Sequence, residues 1–433
     1  MASALGKYFY EAVVFRSIGV IFMGQNDSFQ HFSYNMKAME TVPEQEIEYR
    51  LRNFQLSLQK IDLDGAFILQ NVDLFYFSGT IQSSVLFIPQ QGEPVLMVQK
   101  GLQRARQESP LKHVFPATGR GQIKKVLRDF GFLDLKKIGL EMDVLPTNLY
   151  FRYQQTFPKY DWSDVSGAIQ SLRMIKTPYE VEQIRKAARI LDKGYLAIKE
   201  IIREGMTELE IDGHLALIAR REGHMGILRM RGWNQEMTYA HVLSGESGAT
   251  VSFLDSPHGG KGNTPAMAQG ASFRRIGKNE PIGIDYGVGV NGYLADQFRT
   301  FVIGDLAADL MRAYDCSVEV HDLFVKEAKP GASSSDLYRF ALKKVEKTGF
   351  GEHFMGYGEG KVRFIGHGLG LEIDEHPIIA PRFNQKLEPG MVIALEPKFV
   401  FPGRGVVGLE DDYLVTATGV ERLSLTDQGV IRI

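Results

Sequence analysis

Cysteine is nearly missing from this sequence: Cys316 is the single one among 433 residues. No intrachain disulfide can form, and a reducing, cytoplasmic compartment fits best. An excess of one charge is missing too. Lys and Arg total 50 against 52 Asp and Glu, a formal net charge of -2. That balance sets up no global basic field for nucleic acid or an anionic membrane, so neither is expected as a partner. Long hydrophobic runs are also absent. The N-terminal "VVFRSIGVIFMG" is interrupted by Arg16 and falls far short of the ~20 apolar residues a membrane span needs. Nothing near it resembles a small-residue cleavage site. What is present, 44% apolar and 24% charged residues, is the balance of a soluble globular protein with length for two or three domains.

Residues 1–35 show no helix or strand period, and a chain beginning at Met36 is expected to fold as the full one does. "KAMETVPEQEIEYRLRNFQLSLQK" then has an amphipathic helix pattern. "GAFIL", "LFYFSG", "SSVLFIP" and "EPVLMVQ" are short apolar runs between turn residues, expected as strands, and "GQIKKVLRDFGF" reads as a helix. A boundary is expected within residues 167–176. Thr177, Pro178 and Glu180 then supply the cap, first-turn proline and capping box of a long helix running to Gly205. Thr207 with Glu210 repeats the box, and Gly223 stops the second helix. The unit recurs 126 residues later: Gly205, Thr207, Ile211 and Gly223 align with Gly331, Ser333, Leu337 and Gly349. Two related halves with a cleft between them are expected.

The stretch "IGIDYGVGVNGYLADQFRTF", residues 282–301, carries Asp285 and Asp296 eleven residues apart. Its glycines imitate a dinucleotide fingerprint, but no helix pattern follows them, so a hairpin bringing two carboxylates together is the better reading. Such a pair needs a cation. Downstream, His367 lies among glycines in "FIGHGLGLEIDEHP". Glu396 follows the apolar run Val392–Leu395, and Glu410 stands in "VVGLEDDYLVT". Acids in apolar strands are costly unless partnered, and a shared metal site accounts for all of them. Four carboxylates and an imidazole can hold two divalent ions roughly 3.5–4 Å apart. The hard oxygen set favours Mn²⁺ and also accommodates Co²⁺, Fe²⁺ or Zn²⁺.

The ordered set Asp285, Asp296, His367, Glu396, Glu410 resembles that of the pita-bread metallopeptidases, which include Xaa-Pro aminopeptidases, prolidases, methionine aminopeptidases and creatinase. The words "DYG…GYLADQFRTF", "GHGLGLEIDE", "ALEPKF" and "GLEDDYLVT" match as well, and "SLRMIKTPYEVEQIRKAARI" resembles the helix opening that family's catalytic domain. The resemblance implies an α+β chain: an N-terminal extension at 1–41, a creatinase-like α/β domain at 42–167, and a pseudo-two-fold pita-bread domain at 175–433. By the same resemblance Asp285 would hold one ion, His367 and Glu396 mainly the other, and Asp296 and Glu410 would bridge. A bridging hydroxide would be the nucleophile, with Glu396 moving its proton to the leaving amine.

The residues around this centre depart from the proline-peptidase pattern. Asp374 stands where relatives carry a histidine, Ser252 is the nearest equivalent of another, and Gly408 replaces an arginine. His258 is a candidate for the missing catalytic imidazole. Asp374, Arg363 and His376 are candidate substrate-binding residues, and Arg404 is a further arginine for a substrate carboxylate. Trp233, Tyr239 and His241 precede the "SGESG" turn and can line the pocket, with core packing the simpler reading for the two aromatics. Lys261 in "GGKG" lacks the P-loop pattern. The expected activity is metal-dependent hydrolysis of small Xaa-Pro peptides by a homodimer. The alternatives are creatinase-like C–N hydrolysis, a dimethylsulfoniopropionate-lyase-like reaction, or a non-catalytic binding protein.

Overall fold

Amphipathic periodicity sets the first helix. In α1 (Glu44–Lys60) the buried Ile47, Leu51, Phe54 and Leu58 recur at helical spacing and form one apolar face. The computed structural model describes residues 40–238 and 240–433. The Met36 start and Tyr239 lie outside these.

After α1 come β1 (Gly65–Ile68), α2 (Asn71–Ser78), β2 (Ser84–Pro89), β3 (Val95–Val98) and α3 (Leu102–Glu108). β4 (His113–Pro116), α4 (Arg120–Asp129), β5 (Lys137–Leu140), α5 (Thr147–Thr156) and β6 (Asp161–Asp164) follow. The strands form one six-stranded sheet in the order β4-β3-β2-β1-β5-β6. "LFYFSG" is not a strand but most of α2. The Gln70 side chain accepts from Val72 N and Asp73 N at its start, and Gly79 closes it in a left-handed conformation. A short apolar run buried on most sides has no period to distinguish helix from strand. The expected boundary is itself helical, as α6 (Ser166–Met174).

The second domain opens with α7 (Pro178–Lys199) and α8 (Glu208–Glu222). Both capping boxes are formed, Thr177 with Glu180 and Thr207 with Glu210. α7 ends at Lys199, short of Gly205. Next are β7 (Ala240–Ser244), β8 (Ile282–Val290), β9 (Tyr293–Val302), α9 (Ala308–Glu327) and α10 (Ser334–Glu346). Seven short strands complete the chain: β10 (Gly366–Gly368), β11 (Val392–Leu395), β12 (Lys398–Phe401), β13 (Gly405–Gly408), β14 (Asp411–Val415), β15 (Val420–Arg422) and β16 (Ile431–Arg432). One sheet runs β16-β9-β8-β7, a second β10-β11-β14-β15, and β12 pairs with β13.

The duplication is visible in the backbone. Gly205 and Gly331 share a positive φ of 85° and 87°, and Gly223 and Gly349 turn with φ 107° and 80° after their helices. The copies differ at the cap: Thr207 accepts from Glu210 N, whereas Ser333 makes no capping bond. α7 packs on β8 and β9, and α9 on β12 and β13, so each half lays helices over its own strands.

Candidate metal centre

The hairpin of β8 and β9 turns at Asn291 and Gly292, both with positive φ as an Asn-Gly turn requires. Its register sets Asp285 opposite Phe298 and Asp296 opposite Gly287. Partners in an antiparallel pair share a face, and alternate residues do too, so the two aspartates project diagonally from one side. β8 continues through Asp285 to Val290, so this residue lies inside the strand rather than at its end.

The remaining three candidates come from the other half. His367 is central in β10. Glu396 follows β11 directly, its N–H donating to Ile365 O at 2.9 Å, and Pro397 then turns the chain into the β12–β13 ribbon. Glu410 sits between β13 and β14. Its N–H donates to Phe298 O at 3.0 Å, and Arg299 Nη1 donates to its carbonyl at 2.6 Å. Asp412 Oδ2 accepts from Asp296 N at 3.0 Å, tying the hairpin to β14.

All five line one cavity of about 430 Å³. Its walls include the apolar Leu228, Met230, Met237, Phe364 and Ile378, and the acidic Asp143, Asp255 and Asp374. His367 Nε2 lies 3.6 Å from Glu396 Oε1 and 3.9 Å from Glu410 Oε1. Ligand atoms of Asp296, His367 and Glu410 all fall within 4.8 Å of one another.

One residue here was not singled out from the sequence. Lys398, 1% exposed, extends its ammonium into the middle of the carboxylates. Nζ donates to Asp285 Oδ2 at 3.1 Å, Glu396 Oε2 at 2.8 Å and Glu410 Oε2 at 2.7 Å. Burial works against its charge, but Asp285, Glu396 and Glu410 outweigh it and hold the group protonated. The signal was in "ALEPKF": a lysine two residues past the acid, opening an apolar strand that offers it no exit to solvent.

The charges are divided unequally. Burial opposes ionisation of Asp285, yet Lys398 and His258 hold its carboxyl below the ordinary range. Burial and the Glu410, Asp285 and Asp412 carboxylates push Asp296 well above that range. Burial raises Glu410 to about 8, with Lys398 opposing and Glu396 and Asp285 adding. His367 is held protonated to about 9: burial disfavours the cation, but Asp374, Glu396 and Glu410 prevail. Crowding thus drives the Asp296 and Glu410 carboxyls toward the neutral form, a cost that a divalent cation among them would relieve. Two carboxylates and an imidazole at this spacing fit a divalent ion of the Mn, Fe, Co or Zn kind.

The other candidates separate. Asp374 and His376 line the cavity, and Asp374 Oδ1 is 3.5 Å from His367 Nδ1, its nearest cationic partner. His258 is buried outside the lining, with Nε2 2.9 Å from Asp285 Oδ2, so it orients that carboxylate from behind. His241 does reach the wall. Its Nε2 meets Gln269 Oε1 at 3.1 Å, and burial lowers it to about 4, so the ring is neutral. Arg363 is exposed and apart from the cavity lining, and Arg404 pairs at the surface with Asp309 at 2.5 and 2.9 Å. Trp233, expected in the core, is 87% exposed because its loop turns it outward. The arginines actually beside the cavity are Arg173 and Arg231. Arg173 binds Asp73, Glu372 and Glu375, and Arg231 binds Asp73 and Asp143. Asp73, Asp143 and Arg173 precede α7, so the pairs Arg173–Glu372, Arg173–Glu375, Arg231–Asp73 and Arg231–Asp143 clamp the first domain against the cavity wall.

A two-domain chain with a carboxylate–imidazole cluster between duplicated halves is the architecture of a metallopeptidase. The model of Metallopeptidase family M24 matches residues 182–417, and that of the Creatinase/Prolidase N-terminal domain residues 50–175. The chain belongs to metallopeptidase family M24. An Xaa-Pro dipeptidase of Pyrococcus furiosus is 28% identical over 384 residues, covering 88% of this chain and 99% of that protein. A peptidase of Staphylococcus epidermidis is 29% identical over 391 residues, 87% and 98% of the two chains. The prolidase structure from Pyrococcus horikoshii superposes with a TM-score of 0.75 at 25% identity, over 88% of this chain and all of that one. Among the described residues no helix is long and apolar enough to cross a membrane.

Proposed function

We propose that this chain is a metal-dependent hydrolase of small Xaa-Pro peptides that works best with Mn²⁺. The observation that carries the reading is the convergence of Asp296, His367, Glu396 and Glu410 on one cavity in a chain of this family. A bound divalent ion supplies Lewis acidity and an activated water. Glu396 Oε1 faces the same space as His367 Nε2, at 3.6 Å, and is the atom placed to take a proton and return it to the leaving amine. Lys398 holds the other oxygen, Oε2, at 2.8 Å and so fixes the carboxylate's orientation. The neutral His241 stands on the wall as a hydrogen-bonding group.

Asp374 shapes the specificity. A carboxylate accepts hydrogen bonds and repels a developing oxyanion, and Asp255 adds a second acidic group to the wall. Substrates carrying positive charge near the scissile bond are favoured, which also admits guanidinium or sulfonium compounds as a second reading. A reducing cytoplasmic setting, in keeping with the lone buried Cys316, and a homodimer belong to the same reading. A panel of Xaa-Pro dipeptides beside creatine and dimethylsulfoniopropionate, run with and without Mn²⁺, tests it. Xaa-Pro turnover abolished by chelator and restored by Mn²⁺ is expected. A metal-loaded protein that turns over creatine or the sulfonium but no dipeptide overturns the peptidase reading.

A further inference from the structure

We propose that the Lys398 ammonium stands in place of one of the two divalent ions the resemblance implies, so that this centre takes a single ion beside a built-in lysine cation. The inference rests on the metallohydrolase reading and specifies its metal site.

An ammonium has three donors. Lys398 spends them on three different carboxylates, Asp285, Glu396 and Glu410, at 3.1, 2.8 and 2.7 Å. A divalent ion would need to stand about 2.0–2.2 Å from such oxygens. It would occupy the same funnel as Nζ, and the two cations would repel across it. The Asp285 carboxylate is further committed, since its Oδ2 also faces His258 Nε2 at 2.9 Å.

The fold holds the lysine there. Its ammonium lies 4.9 Å from the centre of the Phe298 ring, a favourable cation–π position. Its cross-strand partner is Gly408. A Cβ at 408 would come within 3.2 Å of the Lys398 stem and 2.5 Å of the Pro397 carbonyl. A bare glycine therefore leaves the groove along which the lysine reaches inward. With the stem enclosed and 1% of the residue exposed, the ammonium has no solvent-facing alternative.

The opposite side keeps its own donor set. Ligands of one ion at about 2.0–2.2 Å stand roughly 3–4 Å from each other. His367 Nε2 is 3.6 Å from Glu396 Oε1 and 3.9 Å from Glu410 Oε1, and Asp296 completes the group. Glu396 and Glu410 each turn one oxygen to the lysine and the other to this side. They bridge a lysine and a metal position rather than two metals.

The test is the stoichiometry of metal binding, which does not depend on knowing the substrate. Metal-free full-length protein is equilibrated with Mn²⁺, and bound metal is counted by equilibrium dialysis and plasma mass spectrometry. Electron paramagnetic resonance reports whether bound ions are spin-coupled. One ion per chain with an uncoupled spectrum is expected for the wild type, and two coupled ions for Lys398→Ala. Lys398→Met keeps the stem and removes the charge, so it serves if the smaller residue unfolds the ribbon. It is likewise expected to bind two coupled ions, since its thioether carries no charge to repel the second. Two ions in the wild type overturn the proposal and leave the metallohydrolase reading intact. No bound ion in the wild type overturns both, and a single uncoupled ion in Lys398→Ala and Lys398→Met as well shows that the lysine does not exclude the second ion and overturns the proposal.

Discussion

Glu375 provides a quantitative test of the clamp between the two domains. Its carboxylate, 7% exposed, accepts from Arg173 at 2.5 Å and Lys176 at 3.0 Å, and from the N–H groups of Leu371 and Glu372 at 2.9 and 3.1 Å. Burial opposes its charge, but Arg173 and Lys176 outweigh burial and hold it at about 2, against an ordinary 4.5. That gap corresponds to about 3 kcal/mol of stability at neutral pH. The sign follows from the direction: a depressed carboxylate contributes fully above its unfolded value and loses the contribution as pH falls toward 2. Glu375→Gln keeps the shape and removes the charge. Urea unfolding followed by circular dichroism should show the variant less stable by about 3 kcal/mol at pH 7. The difference should shrink steadily below pH 4.5. A gap that is the same at pH 3.5 as at pH 7, or no gap at pH 7, would refute the assignment of this stability to the ionised Glu375.

Replacing Asp374 with His restores a donor on the cavity wall and should raise activity on plain Xaa-Pro dipeptides roughly 5- to 150-fold, the range of about 1–3 kcal/mol for a mismatched hydrogen-bond partner. A wild type already at ordinary peptidase rates, with no gain in the variant, removes Asp374 as the discriminating residue. Arg299→Met leaves Asp411 charged and buried with both side chains fully enclosed, and should cost about 3–5 kcal/mol in denaturant unfolding. Gly408→Ala places a methyl 2.5 Å from the Pro397 carbonyl and should lower stability by about 1–3 kcal/mol. An unchanged melting curve would show that the ribbon adjusts freely. His367→Ala should lose most of its Mn²⁺ affinity in the same dialysis measurement, since it removes the only nitrogen donor of the Asp296–His367–Glu410 group.

By itself the sequence determined the features that depend on neighbours along the chain. Thr177 and Thr207 cap their helices three residues ahead of a glutamate, so both boxes were legible and both form. The hairpin was legible because a β-rich run with no helix pattern follows the glycines, and it turns at Asn291 and Gly292. The five acidic and imidazole residues stood out as costly groups in apolar segments, and they share one cavity. Tertiary structure alone decided the rest. α2 is a helix because Gln70 and Gly79 cap a run whose apolar residues carry no period. His258 faces the back of Asp285 while His241 faces the cavity, a choice made by how the loop before β8 folds over β7. Lys398 illustrates the physical reason most directly. Along the chain it is a lysine two positions from one glutamate. Its other two partners, Asp285 and Glu410, lie 113 and 12 residues away, and only packing the β12–β13 ribbon against the hairpin sets them around one ammonium.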